Sequence, residues 1–442
     1  MSPALEAIES DGALPAQADV VVIGGGIIGV MAAYVLAQRG VSVALVEKGR
    51  VGAEQSSRNW GWCRQQGRDP AEIPLSQHSL RLWGSLQEEI GRDLGFRRSG
   101  VTFVTKDPAQ VAEWEGWLAQ ARPFGLDSRL LGGAETDALL RGSSETWLAG
   151  LHTPSDGVAE PSLAAPRIAQ AARGLGASLH QGCAARGLET TAGAVSAVVT
   201  EAGRIRTSRV LCAGGAWTSM FCRHHGIPLP QAGVYATAFR TVPGPDITAG
   251  GIGMPGFAVR RRADGSYTVG LAGRGRVEIS PQGLLYAREF WPTFQKRRRN
   301  VTLGLGRSFF SGPEAMRRWS LDGISPFERL RVLDPAPSQA LVETALAQIR
   351  AAYPGWGDVA AAEAWGGFID STPDAVPVIS AVATLPGMYL ATGFSGHGFG
   401  IAPGAGYLAA DLMMGLPPIV DPAGFRYARL VEGGSLAPRG SF

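Results

Sequence analysis

The chain has 442 residues, 45% apolar and 18% charged, enough to bury a sizeable core and to form two domains or more. Its formal charge of +3 is small for that length and offers nothing to a nucleic acid or a strongly acidic partner. Cys63, Cys183, Cys212 and Cys222 show no CxxC spacing, and the polar, acidic opening MSPALEAIESDGALPAQ is unlike a signal peptide; a cytoplasmic, reducing compartment is expected. Residues 1–15 and 419–442 read as terminal extensions.

From Ala18 to Gly49 the sequence reads ADVVVIGGGIIGVMAAYVLAQRGVSVALVEKG. Val20 to Ile23 is a continuous apolar run, as a strand buried on both faces requires. Gly24, Gly26 and Gly29 form G-x-G-x-x-G and lead into a helix over Ile27 to Arg39, opened by Ile27 and Ile28. Gly40 ends it, and Val41 to Val46 is a second strand, followed by Glu47 and Lys48. The first glycine makes a tight turn, the second lets backbone approach a pyrophosphate, and the third lets helix and strand pack closely. The helix N-terminus faces phosphate charge, and Glu47 accepts from ribose hydroxyls. The unit predicts a bound dinucleotide. Glu47 disfavours a 2′-phosphate, but NAD and FAD both remain open.

Ser56 to Gly67, SSRNWGWCRQQG, has no apolar period, so its two tryptophans and its polar side chains must be placed against something. Asp156 to Gly182 gives a helix starting near Pro161, ended by Gly174 and Gly176, and a strand over Ala177 to His180. SRVLCAGGAW, Ser208 to Trp217, is a buried strand ending in Ala213, Gly214 and Gly215, where backbone can again come close to a ligand. Val378 to Val382 and Met388 to Ala391 read as strands. GFSGHGFG, Gly393 to Gly400, then delivers a helix over Ile401 to Met414 with Pro403 in its first turn. A hydrolase nucleophile elbow needs G-x-S-x-G, and His397 stands where the last glycine belongs. The histidines show no metal-ligand spacing, and no metal is expected.

In this order, and with WGGFIDSTPDAVPVI at Trp365 to Ile379, these stretches resemble the FAD-dependent amine and amino-acid oxidoreductases of the D-amino-acid oxidase superfamily. The sarcosine oxidase, glycine oxidase and D-amino-acid dehydrogenase branch is nearest. The resemblance implies an α/β fold, α+β overall. A Rossmann-type FAD-binding domain would come from 16–90, 151–232 and 362–418, and a substrate domain on a mostly antiparallel sheet from 91–150 and 233–361. It implies that Ser56, Ser57 and Arg58 donate to phosphate and that Asn59, Trp60 and Gly61 lie by the flavin ring. Cys183 and Ala184 would meet the adenine through backbone groups. Ala213, Gly214, Trp217 and Gly366, with Gly396, His397, Gly398, Phe399 and Gly400, would complete the cofactor set. The last helix would point its N-terminus at the flavin pyrimidine edge, stabilising negative charge there by about 0.3–1 kcal/mol.

The family's reaction takes a hydride equivalent from the carbon beside an amine and leaves an imine for water to hydrolyse. Electrons pass to O2 or to an acceptor protein or quinone. Gly367 stands where the sarcosine oxidase branch has its flavin-linking cysteine, so non-covalent FAD is expected, with Cys63 as an unusual alternative attachment point. Gly400 replaces that branch's carboxylate-binding lysine, and Lys296 sits in a solvated QKRRRN run rather than over a flavin. An amine or amino-acid substrate bearing a carboxylate then needs another cation. Arg64 is the candidate, with an ion pair as its alternative role, and Gln65 and Gln66 stand nearby. VYATAFRTV puts Tyr235, Thr237 and Phe239 on one strand face. Tyr235 and Trp365 read as aromatic walls or as core, His397 as a flavin or substrate contact or as a loop brace. Trp60 and Trp62 read as flavin neighbours or as an aromatic plug. Leu284 to Leu305, with its basic run at 296–299, reads as a solvated helix or as a peripheral membrane contact. Two other functions stay open: a flavin dehydrogenase of 2-hydroxy acids or glycerol phosphate, and a flavin-binding subunit of a hetero-oligomer.

Overall fold

The structure is a computed structural model and describes residues 3–440 apart from 272, 299, 434 and 435. In chain order, the elements that position the site begin with Val20–Ile23 (β1), Ile27–Gln38 (α1) and Val43–Val46 (β2). The helices Ile73–Glu89 (α2) and Pro161–Gly174 (α3) precede the strands Ser178–His180 (β3) and Val210–Cys212 (β4). Two long strands, Ala232–Thr241 (β5) and Ala361–Ser371 (β6), are followed by Val378–Ala381 (β7), Met388–Thr392 (β8) and the helix Gly398–Met414 (α4).

Six strands form one sheet in the order β7-β8-β4-β1-β2-β3, parallel throughout except at the β7–β8 pair. β1 is apolar at every position because both of its faces are covered. Val20 and Val22 pack into a layer made by α1, α2, α3 and α4, while Val21 and Ile23 pack against an antiparallel meander over 185–206. α1 lies inside that helical layer and is buried from Ile27 to Ala37, so apolar residues surround its axis instead of forming a stripe. The expected elements appear with small shifts. The second strand begins at Val43, and α4 begins at Gly398, which puts Pro403 in the second turn, where its ring removes one helical hydrogen bond.

A ten-stranded, mostly antiparallel sheet makes the other half. Among the described strands its parallel pairs are Gly251–Gly253 with Val101–Thr105, and Gly275–Glu278 with Val301–Gly304. β5 and β6 pair along their whole lengths, from Ala232 opposite Ser371 to Thr241 opposite Ala361. Residues 362–371, expected with the FAD-binding domain, run by pairing in the larger sheet, and the chain leaves it at Thr372. The helix Gln339–Ala352 covers this sheet with an apolar face of Val342, Ala345, Leu346 and Ile349.

The two halves meet at a buried ion pair. Arg260, fully buried on the larger sheet, donates to both carboxylate oxygens of Glu160 (2.8 and 3.2 Å) and to the Ala159 carbonyl (3.0 Å). Glu160 is the residue before α3. Trp60 and Trp62 fill the same junction edge to face, with ring centroids 5.5 Å apart. They occupy the space left by Gly270 and Gly251, where a Cβ would come within 2.0 and 2.9 Å of the indoles. The aromatic plug is thus the arrangement observed.

Candidate active site

Between the two sheets lies an open cavity with about 1260 Å³ of empty space, solvent at its mouth included. One wall is the β1–α1 turn: Gly24, Gly26, Ile27 and Ile28 line it. Gly24 takes φ +107°, and a Cβ there would sit 2.5 Å from the Ala213 carbonyl oxygen. Gly29 stands behind the turn, where a Cβ would fall 2.0 Å from the Gly24 carbonyl oxygen, so its role is helix–strand contact. Glu47 and Lys48 at the end of β2, and Ala213, Gly214 and Trp217 after β4, form the next stretch of wall. Ser56 and Asn59 come from the stretch after β2, and Gly396, Gly398 and Phe399 from the start of α4.

Local hydrogen bonds hold these groups. Glu47 accepts from the Gly25 and Gly49 amides, both at 2.7 Å, which braces the glycine turn against the end of β2. Ser56 Oγ accepts from the Ile27 amide at 2.8 Å, covering a donor that α1 leaves open at its N-terminus. Asn59 takes the Gly61 amide on its Oδ1 (2.7 Å) and donates to the Ser56 carbonyl (2.8 Å), fixing the turn that starts SSRNWGW. Lys48 Nζ lies 4.4 Å from the Trp217 ring centre and pairs with Glu54 at 2.6 Å, while Trp217 Nε1 donates to the same carboxylate.

Other expected residues lie outside the cavity wall. Arg58 is buried and donates to Asp334 (2.8 Å), the Gly366 carbonyl (2.9 Å) and the Ala53 carbonyl, so it clamps distant segments instead of pointing at a phosphate site. Ser57 Oγ turns back to the Glu54 carbonyl. Gly61 sits under Arg260 and the Ala159 carbonyl, too close for a side chain. The Cys183 and Ala184 amides are taken by the Glu47 carbonyl (2.8 Å) and the Glu201 carboxylate (2.6 Å), and Ala185 reaches the cavity in their place. Gly366 accepts from Arg58, and Trp365 donates its Nε1 to the Arg58 carbonyl at 3.0 Å, within the core. From β6 it is Phe368 and Asp370 that face the cavity. Gly400 packs on the backbone of Trp62, Cys63 and Arg64. Lys296 donates to the Pro438 and Gly440 carbonyls, and Arg299 of the same run lies outside the described residues.

Two polar groups flank the cavity. Beside Gly396 and Gly398, His397 Nδ1 stands 3.4 Å from Glu72 Oε1. Burial, reinforced by Arg68 and Arg64, holds the imidazole well below the usual histidine range. Arg64 and Arg68 join this buried group: Arg64 donates to the Gln66 carbonyl and lies over the Phe103 ring, and its guanidinium is pulled down by burial. Asp156 accepts from the Gln65 amide at 2.8 Å. On the other side, Tyr235 packs edge to face on Phe368, with centroids 4.8 Å apart, and its hydroxyl is 2.7 Å from Ser308 Oγ. Tyr235 is therefore one ring removed from the cavity.

Glu54, Phe327, Phe368 and Asp370 also line the wall and are not among the expected positions. Asp370, at the end of an apolar strand, was the legible one of these; it accepts from Gln231 Nε2 (2.9 Å) and the Gly393 amide (2.8 Å). Phe327 comes from a four-residue helix whose capping box, Ser325 and Glu328, marks a helix start but not which side chain reaches the cavity.

Glu314, near Tyr235, gives a pH prediction. It is buried, accepts from the Gly233 amide at 2.6 Å, and burial pushes its carboxyl up from 4.5 to about 7. The native state then holds a proton that the unfolded chain has released, so this group's stabilisation is complete below about pH 4.5 and is lost as pH rises through about 7. Glu314→Gln keeps an acceptor for Gly233. It is expected to be more stable than the parent above pH 7 and to show a shallower decline between those limits, read from urea midpoints across the range.

A glycine turn with no room for Cβ atoms, a carboxylate at the end of β2, and a helix N-terminus on the far wall fit an extended dinucleotide. Gly24 to Ile28 would hold the pyrophosphate, and the start of α4 the flavin edge. Fold and site define a flavin-dependent oxidoreductase. The chain belongs to the FAD dependent oxidoreductase family (DAO), which matches residues 19–412, and FAD is its cofactor. Among solved structures, L-amino acid deaminase from Proteus myxofaciens superposes with a TM-score of 0.92 at 31% identity, covering 97% of both chains. The enzyme from Proteus vulgaris gives 0.89 at 31%, over 96% of this chain and 99% of that one. Mitochondrial sarcosine dehydrogenase of Mus musculus is 30% identical over 230 residues, 50% of this chain, and the match spans only 25% of that relative's length.

Proposed function

We propose that the protein oxidises the C–N bond of an α-amino acid, of the L series, and that water hydrolyses the released imine to a 2-oxo acid and ammonia. The observation that carries this reading is the likeness to L-amino acid deaminase, which runs through both sheets and covers 97% of each chain. FAD, when bound, supplies the hydride acceptor. The chain supplies position: Phe368, backed by Tyr235, forms an aromatic wall of the cavity, and Arg64 and Arg68 bring positive charge to His397, between Gly396 and Gly398.

FAD is held without a covalent bond in this reading. Cys63 is buried outside the cavity wall with its thiol pushed well up by burial, and the Cys212 thiol, which is at the wall, is pushed up to about 12. Neither is a ready nucleophile. All four cysteines are unpaired, which supports a cytoplasmic location. Electrons pass on to O2 or to another acceptor.

Anaerobic addition of L- and D-amino acids, sarcosine and 2-hydroxy acids to the yellow holoprotein tests the reading. L-amino acids are expected to bleach the flavin band with equal yields of ammonia and 2-oxo acid, and acid precipitation to release free FAD. Bleaching by sarcosine or a 2-hydroxy acid alone would assign a different substrate class. Admitting air afterwards separates oxidase from dehydrogenase.

A further inference from the structure

We propose that Asp370 is a positioning residue for the flavin: from the larger sheet it pins the loop Gly393–Gly396, and so sets where the N-terminus of α4 meets the ring. This role rests on FAD occupying the cavity and not on the substrate class.

Asp370 stands one residue before the end of β6, on the same face as Phe368, and both line the cavity. Its side chain is buried, and Oδ2 accepts from the Gly393 amide (2.8 Å) and from Gln231 Nε2 (2.9 Å). Gln231 is 1% exposed and directly precedes β5. The same Nε2 also reaches the Thr392 hydroxyl (2.9 Å) and the Gly215 carbonyl (3.2 Å). The adjoining ends of β5 and β6 thus grip three stretches of the cofactor half: the turn after β4, the end of β8 and the loop into α4.

The backbone continues the grip. The Asp370 carbonyl accepts from the Ser395 amide (3.0 Å), and Ser371 forms a bridge with Phe394. The Thr372 amide donates to Ser395 Oγ at 3.3 Å. The loop needs such ties because its course is unfavourable: Gly393, Ser395 and Gly396 take φ of +71°, +52° and +84°. Ser395 carries a side chain into the left-handed region, which glycine alone enters freely. Gly393 is confined as well, since a Cβ there would fall 2.4 Å from Thr372 Cγ2. α4 starts at Gly398, directly beyond the loop, and a helix N-terminus acts on charge only near its first turn. A loop that shifts therefore changes what the ring meets.

Two substitutions separate position from charge. Asp370→Asn removes the charge, yet its side-chain oxygen can accept the same two hydrogen bonds. Asp370→Ala removes the charge and leaves the buried Gly393 amide without its acceptor. FAD is titrated into each apoprotein, and the midpoint potential of each holoprotein is measured against a reference dye. Asp370→Ala is expected to bind FAD at least about tenfold more weakly than Asp370→Asn. Its midpoint potential should lie below that of Asp370→Asn, because the reduced ring loses its helix N-terminus at equal side-chain charge. Ser395→Ala, at a half-buried site, should weaken FAD binding about threefold. Asp374→Ala breaks an ion pair with Arg429 (2.8 Å) away from the cavity wall; it should lower stability and keep the parent's FAD affinity. Equal affinity and potential in the two Asp370 variants overturns the proposal. So does a loss of FAD in Asp374→Ala as large as that in Asp370→Ala, which would trace both to general destabilisation. Should Asp370→Ala fail to fold, Ser395→Ala decides alone, and parent-like affinity there overturns the proposal. No amino acid enters the measurement, so an error in the substrate class leaves its outcome unchanged.

Discussion

Gly29→Val is expected to purify colourless. The substituted Cβ would lie 2.0 Å from the Gly24 carbonyl oxygen and 3.3 Å from Val22 Cγ1, both parts of the strand and turn on which α1 is seated. The clash is with backbone, so no side-chain rotation relieves it, and α1 must move away from β1. Overpacking of this kind costs about 1–3 kcal/mol in stability. The effect on the cofactor is larger than that figure suggests, because the displaced element carries Ile27 and Ile28 to the cavity and is tied through Ile27 to Ser56. Gly40→Ala is the matched comparison. Gly40 has φ +76°, but an added Cβ would meet nothing within 4 Å, so the substitution incurs only the left-handed backbone penalty of about 1–2 kcal/mol and should stay yellow. The flavin-to-protein absorbance ratio, with FAD titrated back into each apoprotein, decides the matter. A Gly29→Val protein that retains FAD would remove the close approach of α1 and β1 from the account of the site.

Glu160→Ala is expected to be the most destabilising single truncation at the junction of the two halves. It leaves the Arg260 guanidinium fully buried with its charge partner gone, a situation that costs about 3–5 kcal/mol. Arg262, 3.4 Å from the same carboxylate, adds a second stranded cation. The double replacement Arg260→Met with Glu160→Leu should recover the part of the loss that comes from Arg260, since it removes that buried pair and fills the space with apolar atoms, while Arg262 stays without the carboxylate. Denaturant unfolding of parent, single and double variants tests this. A single-variant loss below about 1 kcal/mol would show that water reaches Arg260 and that the pair does not hold α3 to the larger sheet.

What could be read from the sequence was local. The apolar run of β1, the glycines after it and the acid after β2 all fall within Val20 to Glu47, one strand–turn–helix–strand unit written in consecutive residues, and the structure forms β1, α1 and β2 there. Arg58 shows where such reading ends. It sits in a stretch whose resemblance implies a phosphate contact, yet its partners Asp334 and Gly366 lie 276 and 308 residues along the chain. No period or spacing encodes a pairing over that distance. Trp60 and Trp62 show a second limit: their seats are gaps left by Gly270 and Gly251 on the opposing strands, and a missing side chain gives no signal at the position it accommodates. β6 shows a third, because its Phe368 and its terminal acid face the cofactor cavity while its hydrogen bonds belong to the other sheet.

The cavity wall also carries a consequence for how the protein is made. Its pieces come from residues 23–59, 185–221, 327, 368–370 and 391–399, so the first wall leaves the ribosome long before the last. A nascent chain ending before Ala391 carries the residues of the phosphate turn but lacks Ala391 to Phe399, so the complete cofactor wall exists only once synthesis is nearly finished.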